Sequence, residues 1–167
     1  YNFTHSTFTN FWNNSFREYP SVLINNYFTY FENNTQVVET RNLEEANFTS
    51  CIIDGSNNVE LIIDKVEGSV FNYSFKNNLL KFNDYNNSYS TIPEYDFTNI
   101  TFYQNNILNG KSNFKSPQNN KLIIGEKSVA IKKANAQGTI QVPNDILGKL
   151  RVFPADIGAY QHIIFEN

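Results

Sequence analysis

A nucleophile beside its base, or a cluster of metal ligands, would be the clearest sign of chemistry, and this sequence offers few residues for either. It holds one cysteine, Cys51, and two histidines, His5 and His162. A catalytic thiol needs a base within reach, whereas free cysteine commonly packs inside as a small apolar group. Cys51 therefore reads as a packed thiol, and a lone cysteine forms no internal disulfide. Neither histidine brings the further ligands of a metal site. The stretches Asp54-Gly55-Ser56-Asn57-Asn58 and Asp84-Tyr85-Asn86-Asn87-Ser88 are oxygen-rich and loosely like Ca2+ loops. Both lack the closing Glu of the twelve-residue pattern and consist of ordinary turn residues, so no cofactor is expected. Inverting glycosidases hold two carboxyls about 6.5–9.5 Å apart, and no Asp or Glu pair recurs at a regular spacing. What remains is aromatic. Trp12, Tyr30, Tyr85 and Tyr95 either form a sugar-stacking face for a glycan or pack loops onto a core.

The elements that would position these residues come from a repeat. Phe75-Lys76-Asn77-Asn78-Leu79-Leu80 is matched by Phe3 to Phe8, Leu23 to Phe28, Phe48 to Ile53 and Tyr103 to Leu108. The copies start at 3, 23, 48, 75 and 103, in steps of 20, 25, 27 and 28 residues, and self-similarity at such spacing marks stacked repeats. Each copy is too short for a helix and rich in strand-forming residues. The third position is His5, Asn25, Ser50, Asn77 or Asn105. Asn tolerates left-handed backbone, so this position reads as a sharp bend between two short strands. The fourth position, Ser6, Asn26, Cys51, Asn78 and Asn106, then forms a ladder of small polar side chains bonded from copy to copy. One straight strand is the competing reading.

Composition agrees with strands and turns. There are 15 Phe and 10 Tyr against 7 Gly, too many aromatics for disorder. Charged residues are 17% and net charge is −3, which gives no electrostatic case for nucleic acid. No apolar run is long enough for a transmembrane segment, and no signal peptide is visible. Met is absent even at position 1, which argues against Tyr1 as the native start. Along the chain, residues 29–46 break the repeat and read as a protruding loop or short helix. Residues 82–96 read as a second insertion, 97–102 as an extended run, 109–120 as a polar loop and 121–124 as a strand.

The final segment carries a resemblance. Asp145-Ile146-Leu147-Gly148-Lys149-Leu150-Arg151, followed by Pro154-Ala155-Asp156-Ile157-Gly158-Ala159-Tyr160, resembles the closing segment of bacterial right-handed parallel β-helix proteins, which end in D-x-x-G-N-P-R and then D-I-G-A-Y-E. Ser128-Val129-Ala130-Ile131 resembles their S-P-A-I element. Lys149-Leu150 in place of Asn-Pro, Val129 in place of Pro and Gln161 in place of Glu depart from the pattern. The resemblance implies an all-β right-handed parallel β-helix, a solenoid with coils over 1–127, loops protruding near 29–46 and 82–96, and a capping segment over 128–167. Val152, Phe153, Ile157, Ala159 and Tyr160 would fold across the last coil, which would otherwise leave an aggregation-prone edge. Nothing before Phe3 could cap the first coil, so the expectation is a portion of a longer β-helix, or a protein partner on the N-terminal edge.

The same family includes polysaccharide lyases and hydrolases, whose likeness would imply calcium-binding carboxylates and a Lys or Arg base on one outward face. Here that face offers Lys76 and Gln104 with Thr49 and Thr4, without acids. Asn-x-Ser/Thr triplets at Asn2, Asn33, Asn47, Asn72 and Asn99 arise by chance in so Asn-rich a chain. Function must be argued from a site rather than a fold. The expectation is a non-catalytic, exported or cell-surface protein presenting a surface to glycan or protein, outside the cell or at the bacterial outer membrane. The alternatives are a polysaccharide lyase or glycoside hydrolase with its active site upstream, and a structural subunit of an outer-membrane or surface assembly that docks through its open N-terminal coil.

Overall fold

Strands form where the repeat places its apolar pairs, and bends form between them. In the computed structural model, which describes residues 1–12 and 14–165, the strands are β1 (Asn2–Thr4), β2 (Thr7–Asn10), β3 (Val22–Asn25), β4 (Tyr27–Glu32), β5 (Thr35–Thr40), β6 (Leu43–Thr49), β7 (Ile52–Gly55), β8 (Leu61–Asp64), β9 (Phe71–Lys76), β10 (Leu79–Leu80), β11 (Tyr103–Gln104), β12 (Ile107–Leu108), β13 (Phe114–Ser116) and β14 (Lys121–Ile124). One short helix, α1 (Ala136–Gln141), follows.

These strands lie in five separate short sheets. Two have four parallel strands, in the orders β1-β6-β9-β11 and β12-β10-β7-β2. The sheets β3-β8, β4-β5 and β13-β14 have two strands each, the last two antiparallel. That arrangement overturns the expected right-handed parallel β-helix, because no continuous solenoid forms. One of the five copies is missing from the four-stranded sheets. Leu23 to Phe28 runs instead through β3, which pairs with β8, and into the β4–β5 hairpin. Residues 29–46 are thus the hairpin and the start of β6, rather than a loop or helix. The hairpin turn is Asn33-Asn34, with φ of 49° and 61°; two left-handed residues make the tight turn whose twist suits a hairpin.

The other four copies do align. Phe3, Phe48, Phe75 and Tyr103 hold equivalent positions in one sheet, and Phe8, Ile53, Leu80 and Leu108 in the other. Between the two sheets the chain bends at His5, Ser50, Asn77 and Asn105, with φ of 49°, 56°, 54° and 53°. Asn25 is not among the left-handed residues and sits within β3 opposite Asp64.

Ile53, Leu80, Phe48 and Phe75 point into the main core. Ile52 and Leu79 point the other way, into a second cluster with Ile124, Ala130 and Ile157. The closing segment is what buries this outer face. Gly158 N–H donates to the Ser50 carbonyl, Asn135 N–H to Ser50 Oγ, and Ala159 N–H to Thr7 Oγ1. It therefore lies along the flank, across several copies at their bends, instead of across the last coil. Val152 and Phe153, expected in a cap, are 71% and 66% exposed. Residues 166–167 of the expected segment lie outside the described residues.

Residues 97–102 are turns, not an extended run. Asp96 accepts from Thr98 N–H and Asn99 from Thr101 N–H, two successive side-chain turns of the kind Asp and Asn favour. The 109–120 stretch contains β13 and a single 3-10 turn, Pro117–Asn119.

Candidate docking edge and surface aromatics

Among the described residues β1, β2 and β3 each pair with a strand on one side only, with β6, β7 and β8 respectively. Their inner sides are spent. The Tyr1 carbonyl accepts from Asn47 N–H, His5 N–H donates to Thr49, the Ser6 carbonyl accepts from Ile52 N–H, and the Asn10 carbonyl accepts from Ser56 N–H. Alternate residues of a parallel strand bond to opposite sides, so Asn2, Thr4, Thr7 and Thr9 turn their main-chain groups outward. Between these edges lies a cleft of about 430 Å³, lined by Phe3, Phe8, Val22, Leu23, Ile24, Leu43, Ala46 and Phe48 among others. Deeper in the protein the equivalent rings are closed on both faces. Phe48 lies 5.0 Å from Phe3 and 4.8 Å from Phe75, and Phe75 lies 5.5 Å from Tyr103, all stacked. Phe3 has such a neighbour on its inner side, while its other side contributes to the cleft.

The four candidate glycan-binding aromatics do not form one face. Tyr95 is buried; its hydroxyl donates to the Ile63 carbonyl and accepts from Ile63 N–H, and burial pushes it up to about 12. It is a core residue. Tyr30 stacks on Phe28 in the hairpin. Tyr85 stands exposed in a turn after Phe82. Trp12 is half-exposed and lines a polar cleft with Asn10, Asn14, Gln118 and Asn120.

The ladder exists in part. Asn106 Oδ1 accepts from Asn78 N–H, and Asn78 Oδ1 accepts from Cys51 N–H at 2.7 Å. Each amide also donates to the first residue of the preceding copy: Asn106 to Phe75, Asn78 to Phe48. Cys51 interrupts the amides with only weak sulfur contacts to the Phe3 and Thr49 carbonyls. Ser6 bonds locally to Thr4. Asn26 is not in the ladder; it clamps Val66 through both main-chain groups.

Cys51 and His5 are buried, and His162 is paired with a carboxylate. Burial raises the Cys51 thiol to about 12, which leaves almost no thiolate at neutral pH. His5 is buried at its bend, with Nε2 3.2 Å from Thr139 Oγ1; burial foremost, then the Arg151 charge, lowers it to about 4. His162, which had no evident partner in sequence, places Nδ1 2.7 Å from Asp156 Oδ2. Asp156 also accepts from the Lys132 and His162 main chain and from Gln161 Nε2, so the pair ties down the closing segment. Asp54 accepts from Gly55 N–H and from the distant Ser112 Oγ with the Lys81 ammonium 3.8 Å away, and Asp84 accepts from Ser88 and Tyr89 N–H in its own turn. Among the described residues no three His, Cys, Asp or Glu side chains gather as a metal site. Lys76 and Gln104 do align with Thr49 and Thr4, but Gly138 of α1 packs on the two threonines, which closes that part of the row.

One buried pair left no trace in the sequence pattern. Glu60, fully buried, accepts from Arg17 through both oxygens at 2.8 and 2.9 Å, and from Ser21 N–H, Ser21 Oγ and Asn57 N–H. This carboxylate anchors the loop between β2 and β3.

No family model matches the chain, and searches of curated proteins and of solved structures return no match either.

Proposed function

We propose that this chain is a non-catalytic binding protein whose contact surface for a further polypeptide segment is the open layer of β1, β2 and β3. The partner adds parallel strands to the free edges and sets apolar side chains into the cleft over Phe3, Phe8 and Ile24. One observation carries this reading: three strand edges without a strand partner among the described residues surround an apolar cleft, whereas β6, β7, β9 and β10 are paired in parallel on both sides in a fixed register. Strand addition gives affinity through main-chain bonds and selectivity through alternate side chains. Fully burying a Phe or Leu side chain contributes about 1.5–3 kcal/mol, so a few such anchors suffice for a specific contact.

The test uses a peptide with the sequence of residues 47–55, which in this protein already pairs in that register. Added to the intact protein, it is expected to slow amide exchange at Asn2, Thr4, Thr7 and Thr9, and Leu23→Asp is expected to abolish the effect. Equal protection by a scrambled peptide, or none by either, would refute the proposal.

A further inference from the structure

We infer that the cleft beside Trp12 is a subsite for an uncharged sugar unit of an oligosaccharide. It lies where the loop leaving β2 meets the turn after β13. The two segments are held together by an edge-to-face contact of Phe11 and Phe114, 5.8 Å between centroids. The cleft measures about 380 Å³, at the lower end of the range for small-ligand sites. Its lining joins two aromatic side chains, Phe11 and Trp12, to the primary amides of Asn10, Asn14, Gln118 and Asn120, with no charged side chain among the described residues.

That inventory selects a ligand class. A pyranose offers an apolar face of C–H groups and a rim of hydroxyls. An indole supplies a flat apolar partner for the first, and carboxamides, each both donor and acceptor, suit the second. An anionic ligand would find no cation in the lining, and a purely apolar one would leave the amides unpaired at a cost. The indole is held in place, since Nε1–H donates to Ser15 Oγ at 3.0 Å and the Trp12 main-chain N–H donates to Asn10 Oδ1. The neighbouring turn is fixed by Asn120, left-handed at φ 56°, and by Asn119 Nδ2 donating to Ser116 Oγ. The Gln118 and Asn120 amides make no hydrogen bond to another described residue, which leaves them for a ligand.

Trp12 is the only tryptophan, so its indole N–H resonance and its fluorescence report this site alone. The intact protein is titrated with cellotriose, maltotriose and chitotriose as neutral probes and with the galacturonic acid trimer as an acidic one. At least one neutral trisaccharide is expected to shift the indole signal with Kd of about 1 mM or tighter. Gln118→Ala is expected to weaken that Kd about tenfold while leaving the free indole resonance in place, and Trp12→Ala to abolish binding measured calorimetrically. The inference is overturned if no neutral trisaccharide shifts the signal, if the acidic trimer binds as tightly, or if Gln118→Ala leaves the affinity unchanged. The edge peptide test is read also at Asn2, Thr4 and Thr7, which lie outside this lining, so either result can fail without the other.

Discussion

His5 and Glu60 show how much of this protein rests on single polar side chains placed where water does not reach. His5 is held at its bend with its charged form disfavoured by burial and by Arg151. In the unfolded chain its pKa returns to about 6.5. Between that value and about 4 the unfolded state binds the extra proton, so stability is fully present above pH 6.5 and falls as pH drops toward 4. The whole step is worth about 3 kcal/mol. His5→Asn keeps a residue that tolerates left-handed backbone and removes the titration. Urea melts between pH 7 and 4 should therefore show a clearly shallower decline for the variant, and parallel curves would refute the assignment. Glu60 makes a complementary case. Glu60→Gln keeps the shape but leaves Arg17, whose side chain is only 6% exposed, as an uncompensated charge. Breaking a buried pair in this way costs about 3–5 kcal/mol, to be read as a lowered urea midpoint with unchanged slope. The bend at His5 could be read from the chain, but its burial beside Thr139 and the role of Glu60 could not. Glu60 sits inside an apolar run, and its partner is 43 residues away.

At the scale of elements, the repeat was legible where its chemistry is local and illegible where the outcome depends on distant cover. The bend at the third position follows from His, Ser or Asn tolerating positive φ with a small polar residue next, and four copies adopt it. The second copy carries the same letters but fails to bend there, because Asn25 is taken up in pairing with Asp64 and the hairpin follows at once. The hairpin itself had a signal, Asn33-Asn34 between two strand-like runs, hidden by the absence of Gly. The doubled apolar residues Ile52-Ile53 and Leu79-Leu80 also had a meaning not drawn from sequence: a strand apolar at successive positions is buried on both faces, which requires cover on the outer side. That cover is the closing segment, and its fit can be tested. Gly158 has φ of 99°, and a Cβ there would lie 2.7 Å from Ile52 Cδ1. Gly148 has φ of 78° with nothing within 4 Å. Gly148→Ala should cost only the backbone term of about 1 kcal/mol, and Gly158→Ala about 1–3 kcal/mol more for the forced contact. Equal losses in thermal melts would mean the segment does not press on β7. In the same way, Asn78→Ala leaves Cys51 N–H and the Phe48 carbonyl without the partner that now spans them. A buried group left unsatisfied costs about 1–3 kcal/mol, so a loss of about 2 kcal/mol or more is expected in the same assay.

For the molecule as a whole, the distribution of cover implies a gradient of stability. The middle layers are closed on every side: Cys51, Ile53, Leu61, Phe75 and Leu80 have no solvent exposure, and Ile52 and Leu79 are within 2% of none. The first layer has partners on one side and an apolar cleft on the other. Local opening free energies follow buried contacts and protected hydrogen bonds, so amides of β6, β7 and β10 should exchange only through global unfolding. Those of β1, β2 and β3 should exchange through a smaller opening with little dependence on denaturant. The gradient bears on the proposed role, because a strand pair added to the open layer would convert it into an interior one. In native-state hydrogen exchange, a partner seated there should raise the opening free energy of Phe3 and Phe8 toward that of Phe48 and Ile53 and leave the central values fixed. The outward amides of Asn2, Thr4, Thr7 and Thr9 should gain most. If the first layer already exchanges as slowly as the centre in the protein alone, the edge is not a vacant one, and docking there would have nothing to complete.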